Sequence, residues 1–259
     1  VNSATDSAAT GILPHLRELR RRLIWAALVY VLGVAVLMNI SDVIFELISQ
    51  PIRDALPAGT PLVFLNAPDV FFTYLKIAFV LSLFVTAPFT FYQLWAFVAP
   101  GLYRHERRAF LGYFLSSVAL FFAGGAFAFF IVFPLVFQFF LGFSTEHIVA
   151  MPAVREYLSL VIKLLFAFGL SFQIPIIMMM LIRLDLVTAE AMASKRRYMV
   201  VWAFIFAAVL TPPDIISQTF LAVPMLLLYE LGLWLAKASG NSNSLPSGQG
   251  AESSGGEAG

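Results

Sequence analysis

The sequence predicts an all-α, polytopic membrane protein with six transmembrane helices, and three observations lead there. Apolar residues make up 60% of the 259, against 12% charged. They gather into six runs divided by short charged or proline-rich gaps, and a run of about 20 apolar residues matches the ~30 Å hydrocarbon core of a bilayer. Period-2 alternation is absent, so a β-barrel is not expected. Helices are the other way to satisfy backbone groups in lipid.

The runs lie at about Leu23–Ile40, Val70–Val98, Ala109–Phe143, Tyr157–Ile182, Tyr198–Leu210 and Ile215–Ala236. The first is preceded by Arg17, Arg20, Arg21 and Arg22. Between the first and second lies the largest gap, about Ser41–Asp69. There Val43, Ile44, Leu47 and Ile48 share one helical side and Asp42, Glu46 and Gln50 another, which predicts a short interfacial helix over Ser41–Gln50. Pro51, Pro57, Pro61 and Pro68 are expected to stop regular helix there and to leave an ordered external cap. Lys76 and Lys163 lie one to two turns inside their helices, within snorkelling reach of the same interface.

The third run exceeds a straight span, with Gly124, Gly125 and Pro134 as places to bend. The fifth is short: about 13 residues give roughly 20 Å of helix, which implies local bilayer thinning or burial against neighbours. It meets Thr211-Pro212-Pro213-Asp214 at once. The sixth carries Gln218 and Glu230.

Charge orients the spans. Twelve of the sixteen cations fall on one side of a six-span arrangement, in the gaps holding Arg17–Arg22, Arg104–Arg108 and Arg183–Arg197, and at Lys237. Arg53, Lys76, Arg155 and Lys163 fall toward the other. The positive-inside rule then places both termini in the cytoplasm. Residues 1–11 read as a disordered N-terminal tail without a signal-peptide pattern. Residues 12–237 read as the membrane domain, and the Gly/Ser-rich 238–259 as a disordered tail. Cysteine is absent, which excludes disulfides, thiolate catalysis and cysteine metal sites.

Function is sought in the few polar groups a membrane tolerates. Glu18 sits in His15-Leu16-Arg17-Glu18-Leu19-Arg20-Arg21-Arg22-Leu23, an acid inside a cationic run. Read plainly, it forms an i,i+4 pair with Arg22. Glu106, in Pro100-Gly101-Leu102-Tyr103-Arg104-His105-Glu106-Arg107-Arg108, has first-turn placement against the helix dipole as its plain reading. Together the two put one carboxylate in each of the first two cytoplasmic segments, where they could grip two guanidinium groups through bidentate bonds. Lysine would be a poor substitute. Gln173 lies near mid-run in Phe168-Gly169-Leu170-Ser171-Phe172-Gln173-Ile174-Pro175. Pro175 deprives the Ser171 carbonyl of its helical donor. Two readings stand: Gln173 or Ser171 repairs that defect or bonds a neighbouring helix, or Gln173 is a polar docking point for another transmembrane helix.

Four stretches, in order, carry a family resemblance. They are His15–Leu23; Ala87-Pro88 through Gln93-Leu94-Trp95-Ala96-Phe97 into Pro100–Arg108; Ala167–Pro175; and Leu210-Thr211-Pro212-Pro213-Asp214-Ile215-Ile216-Ser217-Gln218-Thr219 leading to Pro224. Over residues 12–237 the chain resembles the TatC family, the multispanning receptor subunit of the twin-arginine protein translocase. The resemblance implies six helices in a cupped arrangement within the bacterial cytoplasmic (inner) membrane. It implies that Glu18 and Glu106 receive the twin-arginine motif of a signal peptide on folded cargo, with Arg17, Arg20 and Arg104 shaping that surface. It makes Pro51, Phe71, Lys76, Pro88 and Asp214 positions for assembly or transport. Small single-span TatA-type and TatB-type subunits are the implied partners, together with self-association in a receptor complex. The implied energy source is the proton-motive force. At Gln173 the family usually carries glutamate; glutamine keeps hydrogen bonding but cannot ionise.

Two rival classes are weak. A secondary transporter of small solutes would bring charged or unwound helices together at midplane, and Gln173 alone is clearly polar there. An intramembrane enzyme needs a cluster at one depth, yet His147 falls outside while His15 and His105 fall inside. No catalytic or metal constellation is expected, nor any phosphate-cradling glycine loop or cofactor motif.

Overall fold

The protein is described by a computed structural model covering residues 3–55, 62–98, 107–143, 153–184, 186–211 and 214–240. The described chain is almost wholly helical, with one isolated bridge between Val63 and Ala153. Helix α1 spans Ser3–Met38, α2 Ser41–Ala55 and α3 Pro68–Val98. Helix α4, Arg107–Phe127, passes through a π-helical turn, Ala128–Val132, into α5, Phe133–Leu141. Then follow α6 (Val154–Ser171), α7 (Ile174–Arg183), α8 (Ala189–Ser194), α9 (Arg196–Leu210) and α10 (Ile215–Gly240).

Among the described residues, five segments are long and apolar enough to cross a membrane: Leu16–Met38, Pro68–Phe97, Leu111–Leu141, Val154–Arg183 and Ile215–Ala238. They coincide with five of the six expected runs. The expected fifth run is α9, whose 15 residues rise about 22 Å, short of a full crossing.

The breaks have local causes. Pro134 removes a donor and crowds the preceding turn. The chain widens into the π-turn just before it rather than bending at the glycine pair. Pro175 separates α6 from α7 at Phe172–Gln173. Two boundaries differ from expectation. Helix α2 runs through Pro51 to Ala55 instead of ending at Gln50; one proline removes a single rung, and Arg53 Nη2 bonds Ser49 Oγ at 2.7 Å across it. Helix α1 starts at Ser3, inside the stretch read as a tail. The short α8 was not anticipated, although Thr188 caps it by accepting from Ala191 N at 3.1 Å.

Helix α6 is the hub, packed on α3, α4, α9 and α10. Its Leu158, Leu164, Ala167 and Phe168 are fully buried. Tyr157 ties it to α2 by donating to the Ile48 carbonyl at 2.8 Å. At Gly124, α4 comes so close to α6 that a Cβ would meet the Phe168 carbonyl. Helix α1 is peripheral: 6% of its most apolar stretch is buried, against 39–44% in the other four spans. It holds to α3 through a reciprocal pair of bonds. Ser82 Oγ donates to the Tyr30 carbonyl at 2.8 Å, and Tyr30 Oη donates to the Phe79 carbonyl at 3.0 Å.

The α4–α6 approach yields a test. Gly124→Ala should destabilise the fold by about 1–3 kcal/mol, the usual cost of overpacking. Gly112→Ala, on the same helix with open space around it, should be neutral or slightly stabilising. Thermal unfolding in detergent reads the difference; equal effects would refute the close packing.

Candidate functional site

At the cationic end of α1, Glu18 and Arg22 lie one turn apart on one face. Glu18 Oε1 accepts from both Arg22 Nε at 3.0 Å and Nη2 at 2.6 Å. The plain i,i+4 pairing expected from the sequence is therefore present. It also reaches across to α3, where Arg22 Nη1 donates to Gln93 Oε1 at 3.3 Å. Together they line a cleft of about 710 Å³ with Arg17, Arg21, Trp25 and Phe89. Arg17, Arg20 and Arg21 border an adjoining hollow with Ile24 and Trp25.

The site's chemistry follows from this geometry. The Glu18 side chain is 41% exposed. Its second oxygen, Oε2, has no hydrogen bond among the described residues. A partly exposed i,i+4 ion pair contributes only about 0.3–0.5 kcal/mol, so Arg22 is a weak competitor for an incoming guanidinium. Gln93 joins this cleft although nothing in the sequence assigns it a role. Its one signal was an amide near the end of an apolar run that meets a cationic gap. Glu106 and Arg104 lie outside the described residues, immediately before α4.

Gln173 is a second polar centre. It is buried, and its Nε2 donates to the Ser117 carbonyl on α4 at 3.1 Å. Ser117 Oγ in turn accepts from Trp95 Nε1 on α3 at 3.0 Å. Three helices are thus tied by two bonds. The tie extends outward through Tyr113, stacked on Trp95 at 5.3 Å, to the Arg183 guanidinium 5.5 Å from the Tyr113 ring. Ser171 Oγ bonds back to the Ala167 carbonyl at 2.7 Å.

The remaining predicted positions form no single site. Phe71 is exposed in the first turn of α3, edge-on to Phe72. Lys76 Nζ donates to Ser159 Oγ of α6 at 3.1 Å. Nearby, Arg155 pairs with the buried Asp69 at 3.1 Å, a link no sequence pattern indicated. Pro51 lies within α2 and Pro88 within α3. Asp214 caps α10, its Oδ2 accepting from Ser217 N at 2.7 Å. No group of three His, Cys, Asp or Glu able to hold a metal exists among the described residues.

Comparison with known proteins gives this arrangement a family. Residues 14–224 match the family model described as Sec-independent protein translocase protein (TatC). The chain belongs to the TatC family. A Magnetococcus marinus protein named Sec-independent protein translocase protein TatC is 41% identical over 226 residues, covering 87% of this chain and 83% of its own. The Escherichia coli K12 protein of the same name is 38% identical over 226 residues, covering 87% and 88%. Among solved structures, the crystal structure of the twin-arginine translocase receptor TatC superposes with a TM-score of 0.80 at 37% identity. It covers 87% of this chain and 99% of that one. With five spans of sufficient length, this TatC-family chain is a multi-pass membrane protein.

The interhelical tie predicts graded losses. Gln173→Leu should cost about 0.6 kcal/mol of stability, with a ceiling of about 1–2 kcal/mol. Ser117→Ala should cost about 1–3 kcal/mol, because it leaves the buried Trp95 N–H without an acceptor. Denaturant unfolding in detergent measures both, and two neutral substitutions would remove the tie from the account.

Proposed function

We propose that this chain is the signal-recognising core subunit of a twin-arginine translocase. It binds the twin-arginine signal peptides of folded cargo on its cytoplasmic face. Glu18 and Glu106 each take one peptide guanidinium, and Arg17, Arg20 and Arg104 shape the surface and exclude other cations. The observation that carries this reading is the state of Glu18. One carboxylate oxygen already grips a guanidinium, the other is unused among the described residues, and Glu18 lines a cleft of about 710 Å³. The peptide arginine takes over from Arg22, which keeps Gln93 as its partner.

The membrane unit, residues 12–237, crosses the bacterial inner membrane six times with both termini in the cytoplasm, α9 being the short pass. Folded cargo carries its own structure across, so the subunit is a transport component and not a catalyst. It assembles with small single-span TatA-type and TatB-type subunits and with further copies of itself. Gln173 serves partner docking by fixing the α6–α7 bend against α4, where one of its amide N–H groups is engaged. Pro51, Phe71, Lys76, Pro88 and Asp214 serve assembly or transport through the elements they end, bend or join. Secondary transport of small solutes has no comparable observation behind it.

Direct titration with a twin-arginine peptide tests the site. Glu18→Ala and Glu106→Ala should each weaken binding by about 1.5–3 kcal/mol, the scale of charged hydrogen bonds, with the fold intact. Unchanged affinity in either variant would remove that residue from the site.

A further inference from the structure

Helices α3 and α6 both begin at the end of the molecule opposite Glu18, and two polar links close the seam between their first turns. Arg155 Nη1 donates to Asp69 Oδ1 at 3.1 Å, and Lys76 Nζ donates to Ser159 Oγ at 3.1 Å. Over the seam lies a cavity of about 500 Å³, lined by Asn66, Pro68, Asp69, Phe72, Lys76 and Arg155. Its carboxylate is spent. Asp69 is buried, with Oδ1 held by Arg155 and Oδ2 accepting from Asn66 Nδ2 at 3.2 Å. Its cations are not. Lys76 and Arg155 are both exposed, and beyond these single bonds neither has a partner among the described residues. Two cations against one carboxylate leave the lining with a net positive charge.

Depth identifies the anion that meets these cations. The 31 residues of α3 rise about 46 Å, against a hydrocarbon core of ~30 Å. Its first turns therefore stand at headgroup level. Lys76 lies about two turns in, but its Cβ tilts toward the helix start, and its long stem carries the ammonium outward. Inward of Lys76 on the same face come Val80 and Leu83, at i+4 and i+7, both apolar and half-buried. From the bilayer interior outward this face thus runs Leu83, Val80, then the Lys76 ammonium, then Arg155 over the buried Asp69. A phospholipid presents the complement to the first three with its acyl chain and its phosphate. Beyond the phosphate no open carboxylate waits for an amine.

We infer that the outer end of the α3–α6 seam is a binding site for an anionic phospholipid without an amine, of the phosphatidylglycerol type. Its phosphate sits between Lys76 and Arg155, and an acyl chain passes inward over Val80 and Leu83. An ethanolamine or choline headgroup offers the same phosphate but brings a further cation into a net positive pocket. The site therefore prefers phosphatidylglycerol to phosphatidylethanolamine and phosphatidylcholine. The bound phosphate also screens Lys76 from Arg155, so the lipid reinforces the seam it covers. This inference rests on membrane embedding and not on peptide recognition.

Native mass spectrometry of the full chain tests it, after release from nanodiscs holding equal amounts of the three lipids. The expected result is one phosphatidylglycerol retained about tenfold over either competitor, the scale of one like-charge contact at an interface. Lys76→Gln, which keeps a donor for Ser159, should erase that preference. So should the paired change Asp69→Asn with Arg155→Gln, which removes the guanidinium without stranding a buried carboxylate. Lys163→Gln, an exposed lysine on α6 that lines a different cavity, should change nothing. Inorganic phosphate in excess should leave the lipid in place. Equal retention of the three lipids overturns the proposal, as does an unaltered preference in both seam variants. So does an equal loss from Lys163→Gln, which would mark charge without a site, or displacement by inorganic phosphate, which would mark a site for a free anion.

Discussion

Hydrocarbon offers no water, and that constraint governs the structure. Every polar group placed in the bilayer must find its partner within the protein or cost several kcal/mol. The chain meets this with bonds that also join helices. Ser82 and Tyr30 fasten α1 to α3. Trp95, Ser117 and Gln173 fasten α3, α4 and the α6–α7 bend. Other buried hydroxyls turn back on their own helix, as Thr86 does to the Ser82 carbonyl and Thr211 to the Ala207 carbonyl. Close packing at Gly124 and the buried face of α6 then hold the core.

The same economy divides the molecule into a hub and an arm. Helix α6 is enclosed by its neighbours, whereas α1 leans on α3 and exposes Leu23, Leu28, Val31 and Leu32. Its cationic turn is joined to α3 by the Arg22–Gln93 bond. A binding carboxylate on such an arm can shift to suit a bound chain without disturbing the core. The weak Glu18–Arg22 pair fits the proposed use, because it orients the acid while yielding easily.

Much of this was legible in the sequence. Long apolar runs report helices directly, since length and composition alone decide them, and five of six runs became spans of crossing length. The α6–α7 break was legible because Pro175 must leave a carbonyl unpaired. The Glu18–Arg22 pair was legible from i,i+4 spacing. What stayed hidden depends on three-dimensional juxtaposition. Gln93 meets Arg22 across 71 residues and Asp69 meets Arg155 across 86, and no local pattern encodes either. A bond from Gln173 to a neighbouring helix was among the expectations, but its acceptor, the Ser117 carbonyl of α4, was hidden for the same reason. The extension of α2 past Pro51 was missed because a proline's cost to one rung was weighed without the Arg53–Ser49 bond that bridges it.

Under the proposed function, Glu18 discriminates a guanidinium from an ammonium on the incoming peptide. A double-mutant cycle measures this most directly, pairing Glu18 and Glu18→Gln with twin-arginine and twin-lysine peptides in one titration series. The account predicts a coupling free energy of about 1.5 kcal/mol or more, since bidentate charged bonds are lost only when both partners are right. Effects that add within about 0.3–0.5 kcal/mol would contradict it, because Glu18 would then sense the peptide's charge without contacting its arginines.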